Sequence, residues 1–139
     1  RCSQKINPRM SGCQGTLVER YAYDRKSGKC VDYYRLDCFD LTGNEFEERI
    51  DCLEACNPNS TCLDNRKPQV QSYNRQNDLY YYDPSADFCE KASPRVKQID
   101  LWPKSNLFRS QVKCIKACKP EYKPSKVPKK NHKSRGSTE

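Results

Sequence analysis

Ten cysteines carry most of the chemistry available to this chain of 139 residues. They stand at positions 2, 13, 30, 38, 52, 56, 62, 89, 114 and 118. No CxxC pair occurs, and the one histidine, His132, lies far from any cysteine pair, so zinc is not the expected use. Disulfides are, and they imply an oxidising, extracellular setting. The same inventory argues against an enzyme. No unpaired cysteine is expected as a nucleophile, and His132 sits in a polar terminal stretch; neither a metal nor a cofactor is expected. A different kind of chemistry is suggested by Gln14 and Gly15, which follow Cys13 and lead into extended-chain formers. A loop anchored by a cysteine can hold one side chain out to a partner.

The rest of the chain must position such a loop, and its composition limits how. With 32% charged residues and few Leu, Ile or Val, it cannot bury one large core against its ordering entropy. Small domains in that position need covalent staples. No apolar run approaches the roughly 20 residues of a membrane span. No secretory h-region is present, so the chain reads as a mature secreted form. Charge is unevenly spread: residues 1–56 hold nine Lys/Arg against ten Asp/Glu, whereas residues 119–139 hold seven against two.

One pattern occurs twice. Tyr23 and Cys30 are separated by six residues, as are Tyr82 and Cys89. Asn44-x-Phe46-x5-Cys52-x3-Cys56 recurs as Asn106-x-Phe108-x5-Cys114-x3-Cys118. The second copy lacks partners for Cys13 and Cys38. Leu17–Asp24 and Lys29–Arg35 are rich in β-branched and aromatic residues around Arg25-Lys26-Ser27-Gly28, which predicts a β-hairpin. "LYYYDPSADFC" predicts its counterpart, with Pro84 in the turn. Phe46, Ile50 and Leu53 have the spacing of a helix stripe, with Asn44 as the expected N-cap, and Phe108, Val112 and Ile115 repeat the stripe.

Six cysteines so spaced, an aromatic strand, and N-x-F before a C-x3-C helix resemble a Kunitz (pancreatic trypsin inhibitor-like) domain. The resemblance covers residues 1–56 and, in degenerate form, 62–118, joined by a linker at 57–61. It implies a small disulfide-rich α+β fold with the bridges Cys2–Cys56, Cys13–Cys38, Cys30–Cys52, Cys62–Cys118 and Cys89–Cys114; the sequence alone allows many other pairings. Tandem chains with one intact and one depleted domain and a basic tail are similar to tick salivary anticoagulants. That resemblance implies binding to factor X or Xa as a scaffold and inhibition of factor VIIa/tissue factor.

In the Kunitz pattern the residue after the second cysteine enters the protease's specificity pocket. Coagulation proteases have acidic pockets, so Arg or Lys is expected there, and this chain has Gln14. A neutral amide forfeits a charge-assisted pair of about 1.5–3 kcal/mol. The stretch from Cys2 to Cys13 is longer than in the family pattern, and Leu36-Asp37 replaces a glycine pair. The matching loop of the second copy, "RKPQVQSYNRQN", has no cysteine to clamp it and is expected to be mobile. Decay or a new binding surface would both account for that loss.

Glu47, Asp51 and Glu54 of the first copy align with Arg109, Lys113 and Lys116 of the second. With Glu48, the acidic set complements a basic heparin-binding exosite on a protease; solvated helix faces are the plain alternative. Trp102, near Ile99 and Leu101, reads either as a contact hot spot or as a plug in the small core. Asn59-Ser60-Thr61 is an N-glycosylation acceptor in a join expected to be short and mobile, letting two modules engage two sites. Residues 119–139 interleave lysine with proline and are expected to be disordered. They suit polyanions such as heparin, an anionic membrane or an acidic protein face, but not nucleic acid in a secreted setting. Two further readings stay open: a direct serine protease inhibitor acting through Gln14, and an ion-channel blocker.

Overall fold

The aromatic and β-branched runs form strands. In the computed structural model, which describes residues 1–65, 78–92 and 100–124, β1 (Leu17–Asp24) and β2 (Lys29–Leu36) pair antiparallel from Leu17↔Leu36 to Asp24↔Lys29. The Asp24 carboxylate closes the turn by accepting from the Lys26 N–H and the Ser27 hydroxyl, while Gly28 takes a left-handed φ of 70°. α1 (Arg49–Cys56) packs on this hairpin. The second unit repeats the plan with β3 (Tyr80–Asp83), β4 (Phe88–Lys91) and α2 (Gln111–Cys118).

The structure contains the disulfides Cys2–Cys56, Cys13–Cys38, Cys30–Cys52, Cys62–Cys118 and Cys89–Cys114. This small disulfide-rich α+β architecture is consistent with Kunitz domains. Buried cystines, Phe46, Leu53, Tyr82 and Phe108 form a core cluster that spans both units. No described helix is long and apolar enough to cross a membrane.

Three local expectations are corrected. Asn44 does not cap α1, whose N-cap position is Glu48 with no side-chain cap bond. Asn44 is instead buried, accepting from the Tyr23 N–H (2.9 Å) and donating to the carbonyls of Tyr23 (3.0 Å) and Gln4 (2.9 Å). Asn106 does the same for Tyr82 and Asp64. The amide acts as a buried clasp between segments, a role that helix spacing cannot reveal. Phe46 and Phe108 precede their helices and bridge to Tyr21 and Tyr80. Val112 and Ile115 are exposed, at 60% and 40%, so the second stripe does not face the core.

The join between the units is held. The Asn57 side chain donates to the Gly28 carbonyl, the Ser60 hydroxyl accepts from the Cys62 N–H, and the Thr61 hydroxyl donates to the Pro103 carbonyl. The decisive residue is Arg49, whose side chain is fully buried. It donates to the Cys30 carbonyl (2.7 Å), to Asp32, and across the units to Asp87 (2.9 Å). Asp87 also accepts from the Tyr82 hydroxyl at 2.6 Å. Burial, and then this bond, push the Tyr82 phenol well above its ordinary range. Burial likewise pushes the Asp32 carboxyl up, against the pull of Arg49.

The start of the tail is also ordered. Tyr122 N–H donates to the Asp32 carbonyl (2.8 Å), Asp32 N–H donates to that of Pro120 (3.2 Å), and the Tyr122 ring meets Tyr33 edge-on. Residues 120–122 thus pair with the edge of β2 at Asp32, contrary to a disordered tail beginning at 119; residues 125–139 lie outside the described residues.

Candidate functional site

The loop after Cys13 begins from a braced base. Glu45, 2% exposed, accepts from Arg35 (3.0 Å), Arg9 (2.8 Å), the Tyr33 hydroxyl (2.5 Å) and the Thr42 N–H (3.1 Å). Burial pushes the Glu45 carboxyl up, but these hydrogen bonds outweigh it and hold it below its ordinary value. Arg35 also donates to the carbonyls of Leu36 and Phe39, fixing the segment that carries Cys38. Cys38 in turn clamps Cys13.

On that base Gln14, Gly15, Thr16 and Leu17 are exposed. Asp37 packs against Gly15 and Thr16. Its carboxylate accepts from the Thr16 N–H (3.1 Å) and hydroxyl (3.0 Å), and its own N–H donates to the Thr16 carbonyl (2.9 Å). A Cβ on Gly15 would stand 2.3 Å from Asp37 Oδ1 and 3.1 Å from Cys38 Sγ, so a side chain there would have to displace the Asp37 carboxylate and crowd Cys38. The loop therefore offers a neutral amide, with a carboxylate held against the two residues that follow it. It has no cation to place in an acidic pocket.

Glu47, Glu48, Asp51 and Glu54 are all exposed. Glu47, Asp51 and Glu54 line one open groove together with Leu41 and Arg1, and Glu48 lies outside it. The field there is not purely negative. Arg20 approaches Glu47 at 3.9 Å, and the Arg1 guanidinium lies 4.3 Å from the centre of the Phe46 ring.

Arg109, Lys113 and Lys116 are exposed on the second unit, beside Trp102. Trp102 stacks on Phe108 with ring centres 5.1 Å apart and packs on the core while staying partly exposed. Asn59 is exposed on the join. Ile99 and the loop at 66–77 lie outside the described residues. Among the described residues no group of His, Cys, Asp and Glu could hold a metal ion.

Sequence reasoning missed Arg49 and Asp87. A signal was present. Aligning the two copies places Asp87 opposite Gly28, and Arg49 opposite Gln111. Gln111 keeps the bond to its strand, donating to the Cys89 carbonyl at 3.0 Å, as Arg49 does to Cys30. The two departures between copies are complementary in charge.

No family model matches the chain. It is 30% identical over 105 residues to Haemaphysalin of Haemaphysalis longicornis, an alignment covering 75% of this chain and 61% of that protein. The chain thus spans about three fifths of the length of this relative. Among solved structures, SmCI in its complex with human carboxypeptidase A4 is 17% identical with a TM-score of 0.35, covering 92% of this chain and 73% of that one. Ixolaris, determined by NMR with its factor X interaction, is 24% identical with a TM-score of 0.32, covering 80% of this chain and 90% of that one.

Proposed function

We propose that this chain is a secreted anticoagulant of the tandem Kunitz type. It inhibits factor VIIa/tissue factor by holding factor X or Xa at a basic exosite, away from the catalytic cleft. The observation that carries this reading is the loop: Gln14 is neutral, and the Asp37 carboxylate sits against the residues that follow it. Placed at an acidic specificity pocket, this loop gives up the charge-assisted pair that tight inhibition uses. The exposed Glu47, Asp51 and Glu54 then supply what a basic exosite needs, since charge matching raises association rate and selectivity. Salivary origin and occupancy of Asn59 by a glycan belong to the same proposal.

Two assays run in parallel test it. Cleavage of a small chromogenic substrate by factor Xa should persist at chain concentrations that stop factor X activation by factor VIIa/tissue factor. Loss of both activities would mean active-site occupation through Gln14 and would overturn the reading. Loss of neither would favour a target outside coagulation, such as an ion channel. Replacing Glu47, Asp51 and Glu54 with lysine should weaken factor X binding at least tenfold, most strongly at low salt.

A further inference from the structure

The second unit carries a groove whose chemistry differs from the acidic face. Leu101, Trp102, Phe108 and Ala117 form its floor, and Lys29, Arg109, Lys113 and Lys116 form its rim. Its volume is about 360 Å3, and no carboxylate lines it among the described residues. Lys29 comes from β2 of the first unit and donates from Nζ to the Lys116 carbonyl at 3.0 Å. The rim is therefore completed across the junction between the units, one cation coming from the first and the rest of the groove from the second.

We infer that this groove binds an acidic peptide segment carrying an aromatic residue among its carboxylates. Three observations favour that occupant. The size suits one aromatic side chain with its neighbouring backbone, at the lower end of the range for ligand sites. The floor is apolar, and partly exposed Trp102, stacked on Phe108, gives it a flat wall for an incoming ring. The rim concentrates four cations that a lone apolar ligand would leave unanswered, and whose field draws in negative charge. A sulfated polysaccharide would match the rim but leave the floor unused. The inference does not depend on the proposed anticoagulant activity, because it invokes no protease and none of the acidic residues of α1.

The chain has one tryptophan, so its fluorescence reports on this groove. The full chain is titrated with acetyl-Glu-Glu-Phe-Glu-Glu-amide, with the same peptide carrying Gly for Phe, and with a heparin hexasaccharide. The expected result is a saturable change in Trp102 emission with the Phe peptide, about tenfold tighter than with the Gly peptide. Binding should weaken as salt is raised. It should weaken at least tenfold in a Lys113→Glu, Lys116→Glu variant, whose two positions are exposed and whose circular dichroism should match the parent. Equal affinity for the two peptides would overturn the apolar part of the inference. Tighter binding of the hexasaccharide would reduce the groove to a polyanion patch. Absence of any Trp102 response would remove the site. Concentration-dependent association of the chain alone, abolished by the same variant, would identify a second copy as the occupant instead.

Discussion

Arg49 Nε lies 2.9 Å from Asp87 Oδ1 and joins the two hairpin–helix units through a charge pair buried on the arginine side. Asp87 adopts a left-handed φ of 51° at the turn position where the first copy has Gly28. A non-glycine residue there is strained, and aspartate is among the few that tolerate it. The strain is offset by what the carboxylate holds: Arg49 and the Tyr82 hydroxyl. Arg49→Gln would keep a side chain like Gln111 but strand the Asp87 carboxylate. It should cost about 3 kcal/mol in urea or thermal unfolding. In an Asp87→Gly background the same change should cost about 1–2 kcal/mol less, because the Asp87 charge is no longer stranded and only the Asp32 carboxylate loses its partner. Additive costs in the double-mutant cycle would show that the pair does not couple the units.

The same arginine reaches the C-terminal segment, donating to the Pro120 carbonyl at 3.3 Å. Tyr122 N–H is bonded to Asp32, whose carboxylate is also held by Arg49. Hydrogen exchange at the Tyr122 amide should therefore be slow in the parent chain and markedly faster in Arg49→Gln. Fast exchange at Tyr122 in the parent would contradict the pairing of this segment with β2.

Glu45 gives the fold a defined response to acid. Its carboxyl lies below its ordinary value of 4.5 in the folded chain. A depressed folded pKa stabilises the fold above the unfolded value, and that contribution is lost as pH falls through the folded value. The melting temperature should fall as pH drops below about 4.5, with Glu45 supplying part of the slope. Glu45→Gln should be less stable than the parent at pH 7, since Arg35 is then buried without its carboxylate. The gap between the two should narrow steadily as pH falls. A constant gap from pH 7 to pH 2 would mean that Glu45 does not titrate with unfolding.

Much of this was legible in the sequence because local chemistry dictated it. The two hairpins followed from the aromatic runs, with β2 one residue longer than expected and β4 running on to Lys91, and Gly28 and Pro84 marked turns that the structure contains. Exposure of Gln14 and of the two charged helix faces followed from residue type. What was not legible depended on contacts between segments. Asn44 has the sequence position of a helix cap, but its amide is taken by Tyr23 and Gln4. Val112 has the spacing of a core residue, yet α2 turns it outward because Cys114 and Cys118 already fill the buried side. The pairing of the two units and of the segment at 120–122 depends on Arg49, whose partners span 38 and 71 residues of chain. Periodicity carries no information at that range; only comparison of the two copies does.

The loop offers the sharpest test of whether shape survived when charge did not. Gln14→Arg supplies the cation that an acidic pocket requires and should improve inhibition of trypsin by about 10–100-fold, read from hydrolysis of a small arginine amide substrate. Asp37→Gly, added to it, removes the carboxylate beside Gly15 and should improve inhibition further. Removing the Thr16 bonds also loosens the loop, so the second gain should be smaller than the first. Neither variant touches Glu47, Asp51 or Glu54, and factor X binding should stay at the parental value in both. Trypsin inhibition unchanged by Gln14→Arg would show that the backbone itself has left the substrate-like shape. Parallel loss of factor X binding would place Gln14 in that interface and remove the separation between loop and exosite on which the proposed function rests.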